Sequence, residues 1–228
     1  MLKEINRPPT VRETVADALR NAIWRGDLKP GQPLLEAELS QSLKVARGTL
    51  REAFRVLQRE RLVEEFPHRG VFVVSLSARK IEELYSLREL LEPFAVGLAL
   101  KNQSYGEQEL WAIEQAVREL GEAEQCGDEI EMGRADVEFH LRICKPSNHE
   151  LLLDILRNLQ SLTRLCIITN HRKFNPPKPV LEQEHRKILN AIRSGDRLLV
   201  QNLIIKAIRL SKETMVAGAN EAGAESSA

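Results

Sequence analysis

The sequence predicts a mainly α-helical protein: an N-terminal winged helix-turn-helix with a small β-hairpin wing, then a C-terminal all-α antiparallel helical bundle. Three observations predict it. Leu, Ala, Glu and Arg abound while aromatics are only 4% of the 228 residues, a balance that favours helix. Strand-type patterning is confined to one short run, VFVV at 71–74. Charge is also divided along the chain. Residues 1–80 hold 15 basic and 10 acidic side chains and the remainder hold 18 and 23, so a formal net charge of zero hides a +5 end and a −5 end. A basic end suits a polyanion and leaves the other end a different task.

Residues 11–25 (VRETVADALRNAIWR) place Val15, Leu19, Ala22 and Ile23 at helical spacing, with Thr10 available as N-cap. Gly26 and the stretch DLKPGQP end that helix and turn the chain. A short helix over 36–43 (EAELSQSL), the tight connection KVA and a helix over 47–60 (RGTLREAFRVLQRE) follow. Next, LVEEFPHRGVFVVSL sets VFVV off with Pro67 and Gly70 and reads as a hairpin. Past residue 77 helical patterns run over 78–101, 106–126, 128–144, 148–173, 179–194 and 197–217. Cys126-Gly127, Lys145-Pro146-Ser147, Asn175-Pro176-Pro177 and Ser194-Gly195-Asp196 separate them. The expected organisation is a DNA-binding domain over 1–76, a helical effector-binding and dimerisation domain over 77–217, and a small, polar, flexible tail over 218–228.

No apolar run approaches the ~18 residues of a membrane span, and the opening MLKEINRPPT lacks the apolar core of a secretory leader. A cytoplasmic protein is expected. Cys126, Cys144 and Cys166 are odd in number and lack metal or redox spacing, so they read as reduced core thiols.

Helix, short helix, tight turn, helix and hairpin is the order of a winged helix-turn-helix, whose second helix enters the major groove of DNA N-terminus first. Leu50, Ala53, Phe54 and Leu57 follow i, i+3, i+4, i+7 and form its buried stripe. Arg47, Arg51, Arg55 and Arg59 recur every four residues beside it. At 100° per residue that row drifts about 40° per step, so the first two face the groove and the last two face phosphates or solvent. The planar fork of Arg bonds two acceptors on guanine or clamps phosphate oxygens.

The stretch PGQPLLEAELSQSLKVARGTLREAFRVLQRERLVEEFPHRGVFV resembles the DNA-binding domain of the GntR superfamily over about residues 10–76. The likeness rests on Pro-Gly, a Leu-rich first helix, Arg-x-x-x-Arg-Glu-Ala, and Arg-Gly before an aromatic-Val strand. It implies that Arg47 and Arg51 contact DNA and that Arg69-Gly70 at the wing tip reaches the minor groove or backbone. The candidate DNA contacts are therefore Arg47, Thr49, Arg51, Arg55, Arg69 and Gly70. Three departures stand out. The family has Ser or Thr where Ala46 stands, and losing that cap costs about 1 kcal/mol, though Thr49-x-x-Glu52 offers a capping box. Gly48-Thr49 replaces Thr-Pro, and Ala37 replaces an Arg of some relatives.

In the helical half, Asp136 and His140 lie four apart on the face that carries Val137, Ile143 and Cys144. His185 shares its face with Leu181, Ile188, Leu189 and Ile192. Buried polar groups need partners, and a divalent metal satisfies all three at once. A hydrogen-bonded core histidine and a local Asp–His bond are the alternatives. Arg88 and Glu92 sit inward with Ile81, Leu84, Leu91 and Ala95. They read either as an internal ion pair or as an anion clamp for a carboxylate effector.

Residues 78–215 resemble the FCD ligand-binding domain of the FadR subfamily within the GntR group. The likeness rests on Leu-Arg-x-x-Leu-Glu (87–92), Asp-x-x-x-His with a following Asn148, and Glu-His-Arg-x-Ile-Leu-x-Ala-Ile-x-x-Gly-Asp (184–196). It implies an antiparallel helical bundle. Many members hold a divalent metal with one Asp and three His, and that metal helps bind a small organic acid. Asp136, His140 and His185 match the first three ligands, while the fourth position holds Ala207, with Ser211 one turn on. The resemblance therefore implies a divalent cofactor (Zn, Ni or Mn) at a three-ligand site, or a site that has lost its metal. The expected function is a homodimeric, ligand-responsive regulator of a palindromic operator on double-stranded DNA, a repressor ahead of an activator, released or re-oriented by a small carboxylate, and not an enzyme. The alternatives are a metal-dependent enzyme on the helical domain, an acyl-CoA-responsive regulator without metal, and an architectural DNA-binding protein without an effector.

Overall fold

In the computed structural model, which describes residues 10–174 and 181–225, the chain divides after Ser75 into two units. The expected break at Asn175–Pro177, the start of the 179–194 helix and residues 226–228 lie outside the described residues.

The first unit opens with α1 (Val11–Arg25). Thr10 and Glu13 cap it reciprocally: the Thr10 N–H donates to Glu13 Oε2 at 2.7 Å and the Glu13 N–H donates to Thr10 Oγ1 at 3.3 Å. Gly26, at φ 84, closes it in the left-handed conformation that glycine adopts without steric cost. Next come α2 (Glu36–Leu43) and α3 (Arg47–Arg59). Leu50, Ala53, Phe54 and Leu57 of α3 are buried, as are Val15, Leu19, Ile23 and Trp24 of α1. Arg20 on α1 donates through Nε and Nη2 to both oxygens of Glu60, at 2.7 and 2.6 Å, and ties α1 to the end of α3. β1 (Val63–Phe66) and β2 (Gly70–Val73) pair antiparallel, Val63 opposite Val73 and Phe66 opposite Gly70. The chain before α2 lines the other edge of β2: the Leu34 N–H donates to Val71 O at 2.8 Å and the Val73 N–H to Gln32 O at 2.9 Å.

The second unit contains α4 (Ala78–Lys101), α5 (Glu107–Cys126), α6 (Glu129–Cys144), α7 (Glu150–Phe174), α8 (Leu181–Ser194) and α9 (Arg197–Glu225). Cross-links show that neighbours run antiparallel. Arg209 and Gln201 of α9 reach Glu89 and Pro93 O of α4 in reversed order. Arg134 and Arg142 of α6 reach Glu119 and Ala112 O of α5. Arg193 of α8 meets Glu114, near the start of α5, whereas Leu181 and Glu182 meet Glu124, near its end. No helix among the described residues is long and apolar enough to cross a membrane.

Three expectations need correction. The helix expected to stop near 217 runs on to Glu225, because the segment is rich in Ala and free of Pro, so nothing ends propagation. Cys126 is exposed, not in the core; it is the last residue of α5, beside the left-handed Gly127 at φ 69. The capping box at Thr49 does not form. Helix α3 starts at Arg47 with Ala46 as N-cap and no side-chain cap, and Glu52 pairs with Arg55 instead.

Candidate nucleic-acid interface and buried polar centre

On α3 the apolar stripe faces inward, which leaves Arg47, Arg51 and Arg55 exposed on the other side, with Thr49 half-buried among them. Because Ala46 offers no side chain to cap, the first-turn N–H groups of α3 lack a side-chain acceptor. Such N–H groups and the positive end of the helix favour an anion. Arg51 Nε lies 2.8 and 3.0 Å from the two oxygens of Glu36, on the other helix of the pair. Arg55 pairs with Glu52 of its own helix. No ion pair holds Arg47 among the described residues.

The wing ends in a tight turn that places His68 at φ 61 and Gly70 at φ 92. The Arg69 guanidinium lies 5.7 Å from the Phe66 ring and 5.6 Å from the Phe72 ring, so stacking on both rings presents a cation at the tip. The predicted contacts thus fall on one helix and one turn of the first unit.

In the second unit, five ionisable side chains are buried together: Arg88 and Glu92 on α4, Asp136 and His140 on α6, and His185 on α8. Arg88 Nε donates to Glu92 Oε1 at 2.6 Å, and Glu92 Oε2 lies 2.5 Å from His140 Nδ1. Burial pushes the Glu92 carboxyl up, yet the charges of Arg88 and His140 outweigh it and hold the group down at about 2. An ionised carboxylate only accepts, so His140 Nδ1 carries a proton towards it. Arg88 lies against the Tyr85 ring at 5.1 Å, and its Nη groups donate to no protein acceptor among the described residues. Arg88 and Glu92 therefore form the internal ion pair and also line a cavity.

His185 poses a sharper question. Its Nδ1 lies 2.7 Å from Leu181 O, which only accepts, so Nδ1 carries the proton. Its Nε2 stands 3.1 Å from Asp136 Oδ1, yet that atom is buried without a hydrogen bond of acceptable geometry. The short distance and the missing bond agree if a lone pair and a carboxylate oxygen face one another, an arrangement that calls for a second ring proton or a cation between them. One ligand atom from each of Asp136, His140 and His185 lies within 4.8 Å of the others. One carboxylate and two imidazoles, each imidazole tied through Nδ1 to an outer acceptor, is the donor set and support that a divalent metal takes. The residues fit a metal. Ala207 is half-buried and offers no donor.

Beside this centre lies a small cavity, partly open to solvent, lined by Arg88, Glu92, Val137, His140, Leu141, Leu156, Leu159, Gln160 and Thr163. Gln160 and Thr163 were not among the sequence candidates. Their signal is two polar residues interrupting the buried Leu152, Leu153 and Leu156 stripe of α7 at helical spacing.

Comparison with known proteins adds a frame to both sites. The family model for the FCD domain matches residues 83–209, and that for bacterial regulatory proteins of the gntR family matches residues 11–73. The chain is 30% identical over 195 residues to the HTH-type transcriptional regulator LutR of Bacillus subtilis, covering 76% of this chain and 87% of that protein. It is 28% identical over 202 residues to the gluconate operon transcriptional repressor of the same organism, covering 83% and 79%. Among solved structures, a GntR transcriptional regulator from Rhodococcus sp. RHA1 is 27% identical with a TM-score of 0.75, over 90% of this chain and 97% of that one.

Proposed function

Because the chain belongs to the gntR family of bacterial regulatory proteins and carries an FCD domain, we propose that this transcriptional regulator is a homodimeric cytoplasmic repressor of a palindromic operator, released by a small organic acid. The observation that carries the effector reading is Arg88: a buried residue that lines a cavity and whose Nη groups have no protein acceptor among the described residues. A carboxylate satisfies those donors bidentately. Gln160 and Thr163 on the facing helix suit hydroxyl groups. The relative named for a gluconate operon points to the same class, since gluconate is a hydroxylated carboxylate. The enzyme alternative draws no support from these relatives, which are named as transcriptional regulators.

Asp136, His140 and His185 are the residues that would hold Zn, Ni or Mn, and with three protein ligands that metal supplies a positive charge and an open position for an effector oxygen. Glu92 orients His140 and is itself held by Arg88, so effector and metal sites share one chain of hydrogen bonds. An effector that releases the operator is coupled to it, each changing the affinity of the other by the same factor.

Self-association has its own support. Leu87, Leu90 and Phe94 share the outer face of α4, and Leu151 and Ile155 share that of α7; Leu90 is 71% and Leu151 76% exposed, too much apolar surface for a helix pair facing water. The Phe94 ring meets His149, just before α7, at 6.2 Å, which sets the two rows side by side. A second copy covers such a face and supplies the second DNA-binding head that a palindrome requires.

Metal analysis of the purified protein beside His185→Ala, followed by calorimetric titration of small hydroxy acids, tests the reading. About one divalent ion per chain, lost in the variant, and acid binding that weakens operator affinity are expected. No metal after incubation with excess divalent ions would remove the metal, and no acid binding with or without metal would remove the effector class.

A further inference from the structure

Among the arginines on the outer face of α3, Arg51 alone is held from the neighbouring helix. Both oxygens of Glu36, the first residue of α2, lie within 3.0 Å of its Nε. The guanidinium is engaged on its Nε edge only. Nη1 and Nη2 have no protein partner among the described residues, and the side chain is 63% exposed. Arg55 is paired within its own helix, and Arg47 has no ion pair among the described residues.

An Arg reads guanine O6 and N7 with two parallel N–H donors, and it has two ways to present them. One uses Nε with the neighbouring Nη, side-on; the other uses Nη1 with Nη2, end-on. With Nε occupied by Glu36, only the end-on fork remains. Glu36 thus selects the presentation and, because it sits on the other helix of the pair, fixes the fork relative to both. A carboxylate beside a recognition helix otherwise works against DNA binding, since it repels phosphates. The two effects of Glu36 have opposite signs, which makes them separable.

We propose that Glu36 is a positioning residue for base recognition: it holds Arg51 end-on towards a guanine and so sets sequence discrimination, at the expense of general affinity. The inference rests on the DNA-binding reading of α3.

The test uses the full chain and a library of random-sequence DNA duplexes. The sequence enriched by the wild type is resynthesised with each G·C pair replaced in turn, and Kd is measured at fixed salt for wild type, Glu36→Ala, Glu36→Gln and Arg51→Ala. Thermal melting checks that each variant is folded. The expected result is a loss of about tenfold in preference at one G·C position in Glu36→Ala, with affinity for a scrambled duplex unchanged or raised. Arg51→Ala loses preference at that same position, and adding Glu36→Ala to it changes nothing further. Glu36→Gln, whose amide oxygen still accepts from Nε, keeps most of the preference. If Glu36→Ala keeps the wild-type preference, or weakens every duplex equally, the proposal fails while DNA recognition stands. If the wild type enriches no sequence, the DNA-binding reading fails and takes the proposal with it.

Discussion

The two units use the same residue types in opposite ways. In the first, Arg47, Arg51 and Arg55 stand in water on the outer face of one helix. In the second, Arg88, Glu92, Asp136, His140 and His185 are buried and depend on one another. Exposed charge contributes little to folding and is free to engage a large polyanion. Buried charge is costly to leave unpaired, so each group is placed by its partners and a ligand that enters must take over one of their bonds. The contrast separates a surface that binds by accumulation from a centre that binds by substitution.

The sharpest way to break that contrast is to remove one arginine from each unit. Arg88→Ala leaves Glu92 and His140 without their cation and is expected to destabilise the helical unit by about 3–5 kcal/mol, read by urea unfolding. Arg47→Ala is expected to change stability by less than about 0.5 kcal/mol. Equal effects would show that the buried centre is not a mutually dependent set. Next in size is Leu90→Glu, which places a charge on the exposed α4 face. Sedimentation should show self-association weakened by about 2–4 kcal/mol, as for a central interface residue, with the melting of the monomer unchanged. Arg51→Ala should weaken the preferred duplex by about 1–3 kcal/mol and leave urea unfolding unaltered, so that function and stability separate in the first unit as they cannot in the second. The smallest effect belongs to Gly48, where an added Cβ meets nothing within 4 Å. Gly48→Ala should stabilise the first unit by about 0.5–1 kcal/mol; a simultaneous loss of operator affinity would show that DNA backbone approaches closely there.

Much of this was legible in residue order. The stripe Leu50, Ala53, Phe54, Leu57 is a repeated period, and period is what sequence carries well. The ends of α1 were equally plain, because a polar cap, Thr10, and a glycine, Gly26, mark them. Inward-facing Asp136, His140 and His185 followed from the same periodicity. What periodicity could not supply was partnership across helices. That Glu92 contacts His140, 48 residues away, or that Glu36 reaches Arg51, depends on packing between helices. Gln160 and Thr163 were missed for a related reason, since a polar residue in an apolar stripe has meaning only once the facing wall is known. Cys126 was misplaced because a helix end turns its last residues out of the packed interface.

The spacing of the buried pairs also bears on how the molecule folds. Arg88 and Glu92 are four residues apart on α4, so they can meet as soon as that helix forms, on a timescale of about 0.1–1 μs for an isolated helix. Their charges then enter the collapsing core already joined. Asp136 and His185 have no such head start, because 49 positions of chain must be closed before they face one another. The Arg88–Glu92 pair is thus an early local contact and the Asp136–His185 pair a late one. Substitutions at the first should slow folding, whereas substitutions at the second should mainly speed unfolding.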